Sequence, residues 1–117
     1  MSFETFRDAY IECALWSSTD NADESGGAPL DTNYSAENIA DETFNAITED
    51  CRDFYDAHAD KFDDDSQAGH DFWLTRNRHG AGFWDRGLGP IGDELTAAAH
   101  VYGEVDLYVG DDGMLYT

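Results

Sequence analysis

The sequence predicts an α+β domain: about three helices packed on a small antiparallel sheet made of two β-hairpins. Three observations carry that expectation. Apolar residues recur at helical spacing in 3–16 and again in 41–62. Val105, Leu107 and Val109 alternate with Asp106 and Tyr108, as on a half-buried strand. Turn signals separate the segments, with no internal repeat and no glycine-rich phosphate loop leading into a helix. The chain has 117 residues, 41% hydrophobic and 14% aromatic, which suits a single domain, 1–117, with a small core.

The first helix is expected over 3–16. Phe3, Phe6, Tyr10 and Cys13 form its stripe, Leu15 and Trp16 extend the apolar end, and Ser2 precedes it as a capping residue. A long acidic loop follows over 17–34, marked by Gly26, Gly27 and Pro29. Ser35 and Asp41 are the next capping residues. The main helix then spans 41–62, with Phe44, Ile47, Cys51, Phe54, Tyr55, His58 and Phe62 inward. Cys13 and Cys51 fall on these apolar stripes and read as buried reduced thiols.

A hairpin is expected over 71–86. Phe72–Arg76 and Gly82–Asp85 hold strand formers, and Asn77-Arg78-His79-Gly80 between them has turn composition. In that register Leu74 faces Phe83 and Trp73 faces Trp84, so both faces carry large apolar groups and need cover. Asp93 then caps a third helix over 93–102, with Leu95, Ala98, Ala99 and Tyr102 inward and Gly103 as the stop. A second hairpin, 104–116, turns at Asp111-Asp112-Gly113.

Charge is the strongest global signal. The formal net charge is −20, from 26 acidic residues against six Lys and Arg. Direct binding of DNA or RNA by the acidic face is disfavoured on Coulomb grounds, and none is expected. Two uses of such a surface compete with a third reading, mere compositional bias. Regular carboxylates can imitate phosphates and occupy the basic groove of a nucleic-acid-binding protein. Alternatively, an acidic, lysine-poor coat suits a saline solvent, where ions screen self-repulsion. The first use points to Glu49, Asp50, Asp53, Asp56, Asp60, Asp63, Asp64 and Asp65 as partner-binding residues. The second leaves the aromatic and arginine-rich hairpin as a protein-contact module, through Trp73, Arg76, Arg78, His79, Trp84 and Arg86. Half of the six positive charges lie in that stretch.

The chemistry of an enzyme is hard to place on this chain. No Ser or Cys sits in a nucleophile motif, so no catalytic residue is assigned; His70 and His79 are the candidates for acid/base work. Asp63-Asp64-Asp65 begins like a calcium loop but lacks the glycine and the closing glutamate at the required positions. No cysteine and histidine cluster has zinc spacing, and no metal or cofactor is expected. No apolar run reaches the ~18–20 residues of a membrane helix. The N-terminus MSFETFRDAY lacks the layout of a signal peptide, which points to the cytoplasm.

The blocks ECALWSSTD, SGGAPLDTNY, AGHDFWLTRNRHGAGFWDRGLG and YGEVDLYVGDDG resemble those of an uncharacterised group of small proteins from tailed phages and prophages. The resemblance spans nearly the whole chain, and AGHDFWLTRN-x-HGAGFWDRG is its most specific block. This chain has Arg78 where the group more often has glycine. The resemblance implies a viral accessory protein working in the cytoplasm of the infected host cell, without naming an activity. The partner expected is a host or viral protein, such as a nucleic-acid-handling or host-defence protein, and not a membrane.

Overall fold

A computed structural model describes residues 3–18, 30–32, 34–78, 82–83 and 89–117. Four helices and one two-stranded sheet make up the described chain. They are α1 (Phe3–Ser17), α2 (Asp41–His58), α3 (Asp65–Arg76), α4 (Pro90–His100), β1 (Tyr108–Val109) and β2 (Leu115–Tyr116). Short 3-10 turns occupy Leu30–Thr32, Ala36–Asn38 and Ala59–Lys61. A mostly helical protein with a small antiparallel sheet is therefore the architecture.

Helices α1 and α2 follow from their patterns. On α1, Phe3, Phe6, Tyr10 and Cys13 are buried, and on α2 Ile47, Cys51 and Phe54 are. The expected 41–62 helix is α2 plus the 3-10 turn that tightens its end at Ala59–Lys61. Of the acidic loop 17–34, the described part is anchored. Leu30 is fully buried, and its N–H donates to the Ser18 carbonyl at 3.0 Å. Both cysteines are free and buried.

The expected 71–86 hairpin is corrected by α3. Phe72–Arg76, which reads as a strand, is the second half of a helix buried nearly all round, including Asp71, Phe72, Trp73, Leu74, Thr75 and Arg76. A helix wrapped on every side shows no apolar stripe, and its residues mimic a strand covered on both faces. The helix starts at Asp64, whose side chain accepts from the Gln67 N–H at 3.1 Å. Helix α1 crosses α3 closely at Gly69, where a Cβ would lie 2.0 Å from the Phe6 carbonyl oxygen. Of the second expected strand only residues 82–83 are described. The Phe83 N–H donates to Thr75 Oγ1 at 3.1 Å, which turns the chain back onto α3.

Helix α4 starts earlier than its Asp93 cap suggests. Gly89 is the residue before the helix and Pro90 its first position, where a missing N–H costs nothing. Gly103, at φ 75°, stops the chain just beyond His100 and Tyr102. The 104–116 hairpin forms with short strands. Tyr108 pairs with Tyr116 and Val109 with Leu115. Leu115 is also bridged by Ile39, and its carbonyl accepts from the Ala40 N–H at 3.0 Å, so the chain before α2 is tied to the hairpin.

The core is an aromatic stack that joins the helices. Phe54 of α2 and Phe72 of α3 lie 4.2 Å apart between ring centroids, with Phe6 of α1 at 5.9 Å from Phe72 and Phe83 at 5.8 Å from Phe54. Burying each such side chain contributes about 1.5–3 kcal/mol.

Candidate functional site

The outer face of α2 carries the acidic candidates, and the structure divides them. Glu49, Asp53 and Asp56 are exposed on α2, and Asp60 is exposed on the 3-10 turn that continues it. Their spacing of four, three and four residues keeps them on one side. At a pitch of about 5.4 Å, that is roughly one carboxylate per turn. Glu42 extends the line toward the N-terminus, also exposed. The helix beneath is held by Cys51 and Phe54, both fully buried, so the line is rigid.

Three of the other acidic candidates, Asp50, Asp64 and Asp65, are committed to the fold. Asp50 pairs with Arg76 at 2.9 Å. Asp65 is buried and accepts from the Tyr55 hydroxyl at 3.0 Å. Asp64 caps α3, and Asp63 beside it is exposed. Asp53 has a double role, since it also accepts from the Tyr102 hydroxyl at 2.6 Å. Burial first, then that bond to Asp53, pushes the Tyr102 pKa up.

The aromatic and arginine candidates fare differently. Trp73 is 2% exposed and donates from Nε1 to Ser17 Oγ at 2.8 Å. Arg76 is 3% exposed and ties four segments together. Its guanidinium donates to Tyr10 Oη at 3.0 Å, Asp50 Oδ2 at 2.9 Å, and the carbonyls of Tyr102 at 3.0 Å and Gly103 at 2.9 Å. Burial works against its charge, but Tyr10 and Asp50 outweigh it and the pKa is raised. Neither residue presents its side chain to a partner. Arg78 is exposed and lies 3.7 Å from Glu104. His79, Trp84 and Arg86 lie outside the described residues.

The remaining described cations are also engaged internally. Arg52 sits 3.8 Å over the Phe3 ring and 3.8 Å from Asp56. Arg7 lies 5.1 Å over the Phe44 ring and 3.3 Å from Asp8. Lys61 pairs with Glu94 at 3.3 Å and bonds His58 Nδ1 at 3.1 Å. An ammonium only donates, so that ring nitrogen accepts and His58 is neutral. Burial, with Lys61 next, lowers the His58 pKa.

Of the two acid/base candidates, His79 lies outside the described residues, and His70 is not bonded to its neighbouring carboxylate. His70 turns to Trp16, whose indole Nε1–H donates to His70 Nε2 at 3.1 Å. Its sequence neighbour Asp71 instead accepts from Gln67 Nε2 at 3.0 Å. Among the described residues no group of three or more His, Cys, Asp or Glu is placed to hold a metal ion. No helix of the described residues is long and apolar enough to cross a membrane.

Sequence reasoning missed Trp16, 46% exposed at the end of α1. It follows the stripe by one turn, and nothing local marks it as a surface residue. Comparison with protein-family models, with curated proteins and with solved structures finds no match.

Proposed function

We propose that the protein is a small phage-encoded accessory protein that binds and inhibits a host nucleic-acid-handling or defence protein. It does so by laying the carboxylates of α2 on that protein's phosphate-binding surface. The observation that carries this is the exposed line Glu49, Asp53, Asp56 and Asp60 on one side of a core-anchored helix. Such a line offers a basic groove the charge it otherwise receives from a nucleic-acid backbone. The resemblance to small tailed-phage proteins supplies the biological setting.

A second reading has its own support. Exposed carboxylates also stand on α1 (Glu4, Asp8, Glu12), on α4 (Asp93, Glu94) and around the C-terminal hairpin (Glu104, Asp106, Asp111, Asp112). A coat on every side suits a saline solvent. In this reading the protein is a non-enzymatic viral contact module. Its Trp and Arg surface is smaller than the sequence suggests, because Trp73 and Arg76 are in the core.

One experiment separates them. Tagged protein is compared with a variant neutralised on α2 (Glu49→Gln, Asp53→Asn, Asp56→Asn, Asp60→Asn) and one neutralised on α1 (Glu4→Gln, Asp8→Asn, Glu12→Gln). Inhibition by docking predicts a captured nucleic-acid-binding protein that double-stranded DNA displaces. The α2 variant loses it and the α1 variant keeps it. Equal loss in both variants, or capture indifferent to DNA and salt, rules the α2 interface out.

A further inference from the structure

Trp16 and His70 form a pair that the acidic surface does not use. Trp16 stands in the last turn of α1, and His70 on α3 lies 5.6 Å from it between ring centroids, tilted by 30°. The indole N–H is a donor only, so His70 Nε2 must be the accepting nitrogen. In the neutral ring the single proton then sits on Nδ1. That nitrogen is buried and has no hydrogen-bond partner among the described residues.

The imidazolium does not fit this arrangement. A second proton can go only on Nε2, where it meets the indole N–H head-on. The bond is lost, and Nδ1–H still lacks an acceptor. A second indole bond, from Trp73 Nε1 to Ser17 Oγ at 2.8 Å, runs the other way, from α3 to α1. The end of α1 is thus tied to α3 by two indole bonds, and only one depends on the protonation of a histidine.

We propose that Trp16 and His70 form a pH-sensitive latch on the last turn of α1. Protonation of His70 opens it, releases the Trp16 indole to solvent and leaves the Trp73–Ser17 bond as the remaining indole tie. The charged groups near the pair are carboxylates. Asp64 lines the same surface notch of about 290 Å³ as His70, with Ser66 and Gln67. On α1, Glu12 is exposed one turn before Trp16. Asp71, next in sequence, is turned to Gln67. Among the described residues that line the notch there is no lysine or arginine.

The test is nuclear magnetic resonance on the full chain with ¹⁵N-labelled tryptophan, the Trp16 indole peak being assigned by Trp16→Phe. The pH is taken from about 8 to about 5, the range in which imidazole ordinarily titrates. The Trp16 indole peak should move with the protonation of the His70 ring, while the Trp73 peak stays. Its protection from solvent exchange should fall about fivefold, the worth of one ordinary hydrogen bond. His70→Gln keeps a carbonyl acceptor without a titrating proton, and its Trp16 peak should hold still. A wild-type Trp16 peak that ignores His70 protonation would overturn the latch. So would a His70 that stays neutral across the range, or an equal shift in His70→Gln.

Discussion

Arg76→Met tests the architecture and the functional reading together. The side chain is 3% exposed, and its guanidinium makes the four hydrogen bonds that join α1, α2 and the chain after α4. Methionine fills much of the space and removes every donor. Breaking a buried ion pair from one side costs about 3–5 kcal/mol. Here Asp50 keeps 40% side-chain exposure, so water can solvate the carboxylate left behind. That places the loss near the lower end, at about 3 kcal/mol. The reverse change, Asp50→Asn, keeps an acceptor oxygen but strips the buried guanidinium of its counter-charge, and should cost at least as much, about 3 kcal/mol. Urea unfolding followed by circular dichroism reads both. With a slope of about 1.5 kcal/mol per molar, Arg76→Met lowers the midpoint by about 2 M. The double variant should lose less than the sum of the two single losses, because the residues share one interaction. If Arg76→Met stays within about 0.5 kcal/mol of wild type, as a surface change would, Arg76 is not the tie described here. The result also bears on function, since any binding lost with Arg76 at this cost reports unfolding before it reports a contact.

Arg78 takes φ 59° just past the end of α3, a conformation that costs a side chain about 1–2 kcal/mol. Arg78→Gly gives up only an exposed 3.7 Å pair with Glu104 and should raise stability by about 0.5–1 kcal/mol in the same urea assay; a loss would refute the αL-cap reading. The Cys13 thiol is pushed up to about 12, by burial first, and Cys51 is raised by burial as well. Both should react with a disulfide reagent only on denaturation, and fast native labelling would contradict their placement. The lowered His58 pKa means that the unfolded chain binds this proton more readily. Stability should hold above the ordinary imidazole value of 6.5, decline as pH falls below it, and stop declining on this account once the folded group titrates. His58→Gln should flatten that decline, and an unchanged pH profile would refute the assignment.

The class of the fold was legible because α1, α2 and the C-terminal hairpin each bury one face. Phe6, Phe54 and Leu107 sit where their spacing puts them. Helix α3 was not, because periodicity reports a boundary between core and solvent, and α3 has almost no solvent side. Phe72, Trp73 and Thr75 favour strands by propensity, and tertiary cover overrides that preference. A local signal did exist. Asp64 followed three residues later by Gln67 has the layout of a helix start, and the Asp64 cap is made. The acidic site was half legible for a related reason. Asp50 and Asp65 look like their exposed neighbours in sequence, and only the positions of Arg76 and Tyr55 take them out of the surface set.

The placement of the cations decides what the charge can do. Arg7, Arg52, Lys61, Arg76 and Arg78 each face a ring or a carboxylate of the same chain. The field felt at a distance is therefore negative from many directions, and a basic partner is drawn in without being oriented. Long-range charge alone gives a fast encounter and little selectivity. Orientation has to come from contact geometry, and of the acidic faces α2 has the longest exposed line on a helix locked to the core. A uniform coat needs no such line, and neutralising any four carboxylates would change it alike. An interface needs Glu49, Asp53, Asp56 and Asp60 in register, and that register exists only while Phe54 and Cys51 hold the helix below them.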